Sequence, residues 1–297
     1  MRTFLVASDL SPRSDRAVAQ AAHLAARTGA RLVLLNAVDD ELPAAVFDEE
    51  RKLSLRILEE TAARLGVLPR DRIAVRVSGG LDFRAILTTA REEKAGLIVL
   101  GAHRRAILED ILTGTTVERV IRNSSTPVLV VKRPLPGDYD CTLVALDMTR
   151  EAAAVLRLAH KLAAGRTLYA MHVLDDTVGL RRLGAATAAD QYRAALSQRC
   201  EDLLHEIAGQ AGLAAGSFLP VVNRGSPAQA ILDAAEAFGA DMGVVGTRTH
   251  TRGPMERLLF GSVAERLLLD MPCDVLTVPL EGKTPLLDAD DARPMVS

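Results

Sequence analysis

The chain repeats itself, and no other feature of the sequence restricts its fold as much. The stretch "TFLVASDLSPRSDRAVAQAAHLA" from Thr3 returns as "TLVALDMTREAAAVLRLAHKLA" from Thr142. "AGLIVLGAHRR" returns as "ADMGVVGTRTH", and "GTTVERVIRNSSTPVLVV" as "GSVAERLLLDMPCDVLTV". The offset is 138 residues between Asp9 and Asp147, 145 between Gly101 and Gly246, and 147 between Gly114 and Gly261. A slowly drifting offset fits two copies of one domain whose loops differ in length. A chain of 297 residues has room for two such cores.

Each copy alternates short apolar runs with helical patterns. In the first, runs rich in Val, Leu and Ile lie near 3–8, 31–38, 72–78, 97–101 and 127–131. None alternates with polar residues, as expected for strands buried on both faces of a parallel sheet. Helical periodicity falls near 13–28, 42–65, 83–94 and 115–123, with Ser11-Pro12 and Asp82 as start signals. The second copy predicts strands near 142–147, 166–173, 217–223, 242–246 and 274–278, and a helix that starts at "GSPAQAIL". The alternation predicts an α/β fold of two tandem doubly wound, Rossmann-like domains. Each would be a five-stranded parallel sheet with helices on both faces. The expected boundaries are 1–133 for the first domain, 134–140 for a Pro- and Gly-rich linker and 141–280 for the second domain. The polar tail 281–297 reads as disordered.

Such sheets take ligands at the carboxyl ends of their strands. Asp9, Asp147, Gly101 and Gly246 all fall there. Gly114-Thr115 and Gly261-Ser262 open helices, whose free N–H groups and partial positive charge suit phosphate. A glycine would let an oxygen approach the backbone, and a carboxylate could accept from a ribose or an adenine amino group. The same aspartates could instead only cap the following helix.

Composition excludes other classes. The net charge of −2 and aromatic content of 3%, with no Trp, speak against a nucleic-acid partner. No apolar run is long enough for a membrane span, and Asp9 interrupts the apolar N-terminus, so a cytoplasmic protein is expected. Cys141, Cys200 and Cys273 are widely spaced and read as buried or inert thiols. His23 and His160 read as surface or packing residues, and the six histidines lack metal-ligand spacing. No lysine stands in a glycine loop, so any ATP hydrolysis is expected to be slow.

The V-A-x-D-x-S motif at the first strand end, the G-x2-G-x9-G-[ST] spacing after the fourth strand and the helix and strand that follow it resemble the universal stress protein family. The resemblance covers nearly the whole chain, twice over. It implies an adenine nucleotide alpha hydrolase-like fold, with ATP or AMP, with or without Mg²⁺, in one or two sites per chain. The first site would use Asp9, Ala37, Leu100, Gly101, His103, Gly114, Thr115 and Thr116. The second would use Asp147, Val173, Val245, Gly246, Arg248, Gly261, Ser262 and Val263. It also implies an intrachain pseudo-dimer paired through the last strands, a homodimer of chains as a further level of assembly, and a regulator or sensor with an unidentified protein partner. The alternatives are a nucleotide-free interaction module and a slow ATPase.

Neither loop keeps the full pattern. Arg104 stands at the second glycine position of the first loop. Thr249 stands there in the second, which has fourteen residues between its outer glycines against twelve. Either Arg104 or Arg105 reaches phosphate in place of a backbone contact, or the site has lost tight ATP binding; the alternative is that both arginines are solvated loop residues. Gly253 could restore flexibility to the second loop.

Overall fold

The computed structural model describes residues 3–102, 115–149, 151–174, 186–214, 216–248 and 261–280. They form two compact units. One holds the chain as far as Asp138 together with Cys273–Pro279. The other runs from Tyr139 and includes Gly261–Pro272 and Leu280.

In the first unit the order is β1 (Thr3–Ala7), α1 (Pro12–Thr28), β2 (Arg31–Val38), α2 (Ala44–Arg64), β3 (Ile73–Gly79), α3 (Asp82–Glu92), β4 (Leu97–Gly101), α4 (Thr116–Asn123) and β5 (Val128–Val131). The strands pair in the order β3-β2-β1-β4-β5, all parallel. Phe4, Leu5 and Val6 are fully buried on β1, facing Leu32–Leu34 on one side and Leu97–Val99 on the other. Burial on both faces explains why the sequence shows continuous apolar runs here. Each such side chain contributes roughly 1.5–3 kcal/mol when removed from water.

α1 shows why the helical pattern was readable. Pro12 takes its first position, Asp15 lies in its first turn and Arg27 in its last. Gly29 closes it in a left-handed conformation, with φ 74°. Its buried stripe of Ala17, Val18, Ala21 and Ala25 is small enough to lie close on the sheet. One start signal reads differently in the structure. Asp82 is not the cap of α3; Leu81 holds the extended cap position and Asp82 already belongs to the first turn. There its charge complements the helix dipole without capping the helix.

The second unit contains β6 (Cys141–Ala145), α5 (Ala152–Leu162), β7 (Thr167–Leu174), α6 (Ala186–Gln210), β8 (Phe218–Arg224), α7 (Pro227–Phe238), β9 (Met242–Arg248) and α8 (Ser262–Asp270). Its strands pair in parallel as β9-β6-β7-β8, which repeats the arrangement of β4, β1, β2 and β3. The last predicted strand also forms, as β10 (Asp274–Leu280), and Val275, Leu276 and Thr277 pair antiparallel with β5. The last strands of the two copies therefore meet in one ladder. Among the described residues, no helix is long and apolar enough to cross a membrane. The tail 281–297 lies outside the described residues.

The segment between the copies is tied to α1. Gln20 donates to Gly137 O at 2.9 Å and accepts from Gly137 N at 2.8 Å. His23 lies 2.8 Å from the Asp138 carboxylate.

Asp274 anchors β10 against β5. It is fully buried, and its Oδ1 accepts from Lys132 N at 2.7 Å and Arg133 N at 2.8 Å. Asp274→Ala leaves both amides without this acceptor, and is expected to cost about 2–4 kcal/mol in urea unfolding followed by circular dichroism. Asp274→Asn keeps an acceptor and is expected to cost less.

Candidate functional site

β1 is the strand at which the order reverses, with β2 on one side and β4 on the other. The connections leaving β1 and β4 diverge there, and the sheet opens a crevice at its carboxyl edge. This crevice has a volume of about 790 Å³, part of it open solvent. Asp9 enters it from the turn after β1, Ala37 from β2, Leu100 and Gly101 from β4, and Thr116 from the first turn of α4. Five residues named from the sequence thus line one space. Thr115 stands beside it as the cap of α4. His103, Arg104 and Gly114 lie outside the described residues.

Asp9 is exposed, and its Oδ1 accepts from Ser11 N at 3.0 Å. Partial burial pushes its carboxyl up, but hydrogen bonds from Ser11 and Ser14 outweigh that and hold it below its ordinary value. Asp9 therefore presents a carboxylate at neutral pH. It holds the turn and also faces the crevice, but neither it nor Asp147 caps the following helix: Ser11 holds the cap position of α1 and Glu151 that of α5. Asp82 lines the same space. Burial raises its carboxyl above the ordinary value, and the charges of Asp9 and Asp39 push in the same direction. The mouth between β1, β2 and α3 is acidic, which suits hydroxyl and amino donors better than phosphate.

The N-terminus of α4 is more complicated than the sequence suggested. Thr115 Oγ1 accepts from Glu118 N at 3.3 Å, while Glu118 Oε2 accepts from Thr115 N at 3.2 Å. This capping box already uses a donor that a phosphate would want. The Thr115 hydroxyl proton and the next amides of the turn are the groups it leaves for a ligand.

Both strand-end glycines lie against packed neighbours. Neither Gly101 nor Gly246 takes a left-handed backbone. A Cβ on Gly101 would stand 3.3 Å from Arg13 O, so its bare backbone lets the start of α1 approach β4. A Cβ on Gly246 would stand 2.5 Å from Leu280 Cδ1. Gly261 is different. It caps α8 at φ 104°, a conformation that favours glycine, and nothing stands within 4 Å of where its Cβ would be.

In the second unit Asp147 is exposed just beyond β6, where its Oδ1 accepts from the Thr149 hydroxyl at 2.8 Å. Val173 lies on β7, Val245, Gly246 and Arg248 on β9, and Ser262 and Val263 in the first turn of α8. The residue after each aspartate is left-handed without being glycine: Leu10 at φ 61° and Met148 at φ 25°. Strain of this kind persists only where surrounding structure enforces it.

Two residues that the sequence reading missed sit at equivalent places. Asn36 Nδ2 donates to Ser8 O at 2.8 Å, and the His172 Nδ1 position lies 2.8 Å from Leu146 O. Asn36 also lines the crevice. Burial pushes His172 below its ordinary value of 6.5, against smaller opposing effects of the Leu146 carbonyl and the Asp147 charge. Among the described residues, no three His, Cys, Asp or Glu side chains are placed to hold a metal ion. Cys141, Cys200 and Cys273 form no disulfide among the described residues, and burial raises the thiols of Cys141 and Cys200.

The sequence profile of the Universal stress protein family matches residues 1–132 and 139–279. A universal stress protein of Mycolicibacterium smegmatis is 26% identical over 295 residues, which is 92% of this chain and 96% of that protein. Universal stress protein MJ0531 of Methanocaldococcus jannaschii is 37% identical over 94 residues, 32% of this chain; the match spans only about half of that relative, 53%. Among solved structures, a universal stress protein from Archaeoglobus fulgidus superposes with a TM-score of 0.69 at 21% identity. The match covers 93% of this chain and 96% of that one.

His172 makes the second unit sensitive to acid. A histidine depressed in the folded state is protonated first in the unfolded chain. Its contribution is therefore present above pH 6.5 and is lost as the pH falls from there through its lower folded value. Urea unfolding at pH 7.5 and 5.5 is expected to show this loss in the wild type and a shallower one in His172→Asn.

Proposed function

Since the chain belongs to the universal stress protein family, with two copies of its domain, we propose that the strand-end crevice of its first unit binds an adenine nucleotide, ATP or AMP, and that occupancy regulates a response to stress in the cytoplasm. The observation that carries this reading is the convergence of Asp9, Ala37, Leu100, Gly101 and Thr116 on one crevice at the strand-order reversal. Their chemistry divides along it. The Asp9 carboxylate accepts from ribose hydroxyls or the adenine amino group. Ala37 and Leu100 offer apolar surface to the flat faces of the nucleoside. The first turn of α4 at Thr116 directs amide donors and the positive end of its dipole toward phosphate.

The same assignment in the second unit uses Asp147, Val173, Val245, Gly246, Arg248, Gly261, Ser262 and Val263, so a chain takes one or two nucleotides. Sensing follows from linkage. A ligand that binds one arrangement of the strand-end loops shifts the chain toward it, and a protein partner that reads those loops responds to the shift.

The experiment is calorimetric titration of ATP and AMP into wild type and Asp9→Ala, with chromatography of whatever nucleotide the purified chain releases on denaturation. The wild type is expected to bind one or two equivalents. Asp9→Ala is expected to lose about tenfold in affinity at the first site, which corresponds to about 1.4 kcal/mol. A folded wild type that releases no nucleotide and gives no heat with millimolar ATP or AMP contradicts the reading and favours an interaction module.

A further inference from the structure

We infer that Asn36 and His172 are positioning residues, interchangeable in role, that lock the aspartate-bearing turn at the mouth of each copy. The locking contacts themselves are visible without a ligand. What the turn is held for rests on the nucleotide reading above.

The two copies build the turn from the same parts. Ser8 N donates to Leu35 O at 2.8 Å, and Leu146 N donates to Met171 O at 2.9 Å. These are the last bonds of the two ladders, one residue beyond the Ala7↔Leu35 and Ala145↔Met171 pairs. The chain then turns away, and the carbonyls of Ser8 and Leu146 lose their strand partners. In each copy the next residue along the neighbouring strand supplies the missing donor through its side chain. Asn36 Nδ2 reaches Ser8 O and His172 Nδ1 reaches Leu146 O, both at 2.8 Å.

Amide and imidazole have little in common except a planar N–H donor at similar reach, so the role at the two positions is that donor. The hydrogen bond fixes the peptide immediately before Asp9 or Asp147. The residue that follows the aspartate is the strained one, Leu10 at φ 61° or Met148 at φ 25°. The lock also ties β1 to β2 beside Ala37, and β6 to β7 beside Val173. The aspartate and its apolar opposite are thus held at one spacing.

The test uses the full chain. Amide hydrogen exchange is read at Leu10, whose N donates to Ser8 Oγ at 3.1 Å, and at Ser11, whose N donates to Asp9 Oδ1. Asn36→Ala is expected to speed exchange at both amides by about tenfold, the value of one lost hydrogen bond, and to weaken ATP binding by a similar factor. Asn36→His places the second copy's donor in the first and is expected to restore both. Should the Ala variant fail to fold, Asn36→Ser removes the reach with less loss of volume.

Unchanged exchange in Asn36→Ala overturns the inference. Accelerated exchange that Asn36→His does not rescue also overturns it, as does accelerated exchange with full ATP affinity. If exchange responds and is rescued while the wild type binds no ATP, the lock stands and the nucleotide reading fails.

Discussion

A parallel strand that ends while its neighbour continues leaves a carbonyl without a partner, and a buried carbonyl must find a donor. This constraint falls on β1 and β6, the strands at which the order reverses in each unit. The chain meets it with a side chain from the adjacent strand, Asn36 or His172. Once that bond is made, the peptide before the aspartate is fixed, the next residue can be held in a left-handed conformation, and the carboxylate stands at the crevice. The site is therefore a consequence of how the sheet terminates.

The two copies share this device and differ around it. The first locks its turn with an amide that does not titrate, the second with an imidazole that burial holds neutral. The first caps its last helix with the reciprocal pair Thr115 and Glu118, the second with left-handed Gly261. At the fourth-strand position, Gly101 makes room for the backbone of α1 and Gly246 for Leu280. One fold thus carries two strand-end turns built from different residues, and Asp9 and Asp82 both line the crevice beside the first.

The repeat and the apolar runs made the ten described strands legible to within one or two residues. In central strands such as β1, burial on both faces leaves a composition that needs no tertiary information, while the half-exposed edge strands β3 and β8 were found through the repeat. Helix starts were less secure. Asp82 has the chemistry of a cap, yet the backbone turns one residue earlier, and only the geometry of Leu81 reveals it. Asn36 and His172 escaped notice because a single polar residue in an apolar strand reads as an interruption, and two different residue types at matched positions do not register as a repeat. Gly101 lines the crevice and also makes room for Arg13, far away in sequence, a demand with no local signature. The hold of Gln20 and His23 on Gly137 and Asp138 is equally invisible to a linear reading.

The central claim is that adenine sits between the ends of β1, β2 and β4 in the first unit. Photolabelling with 8-azido-ATP, followed by peptide mapping with and without excess ATP, tests it most directly. The account predicts label that ATP displaces, carried by peptides containing Ala37 or Leu100. Label that ATP does not displace, or label confined to peptides away from these strand ends, would contradict it.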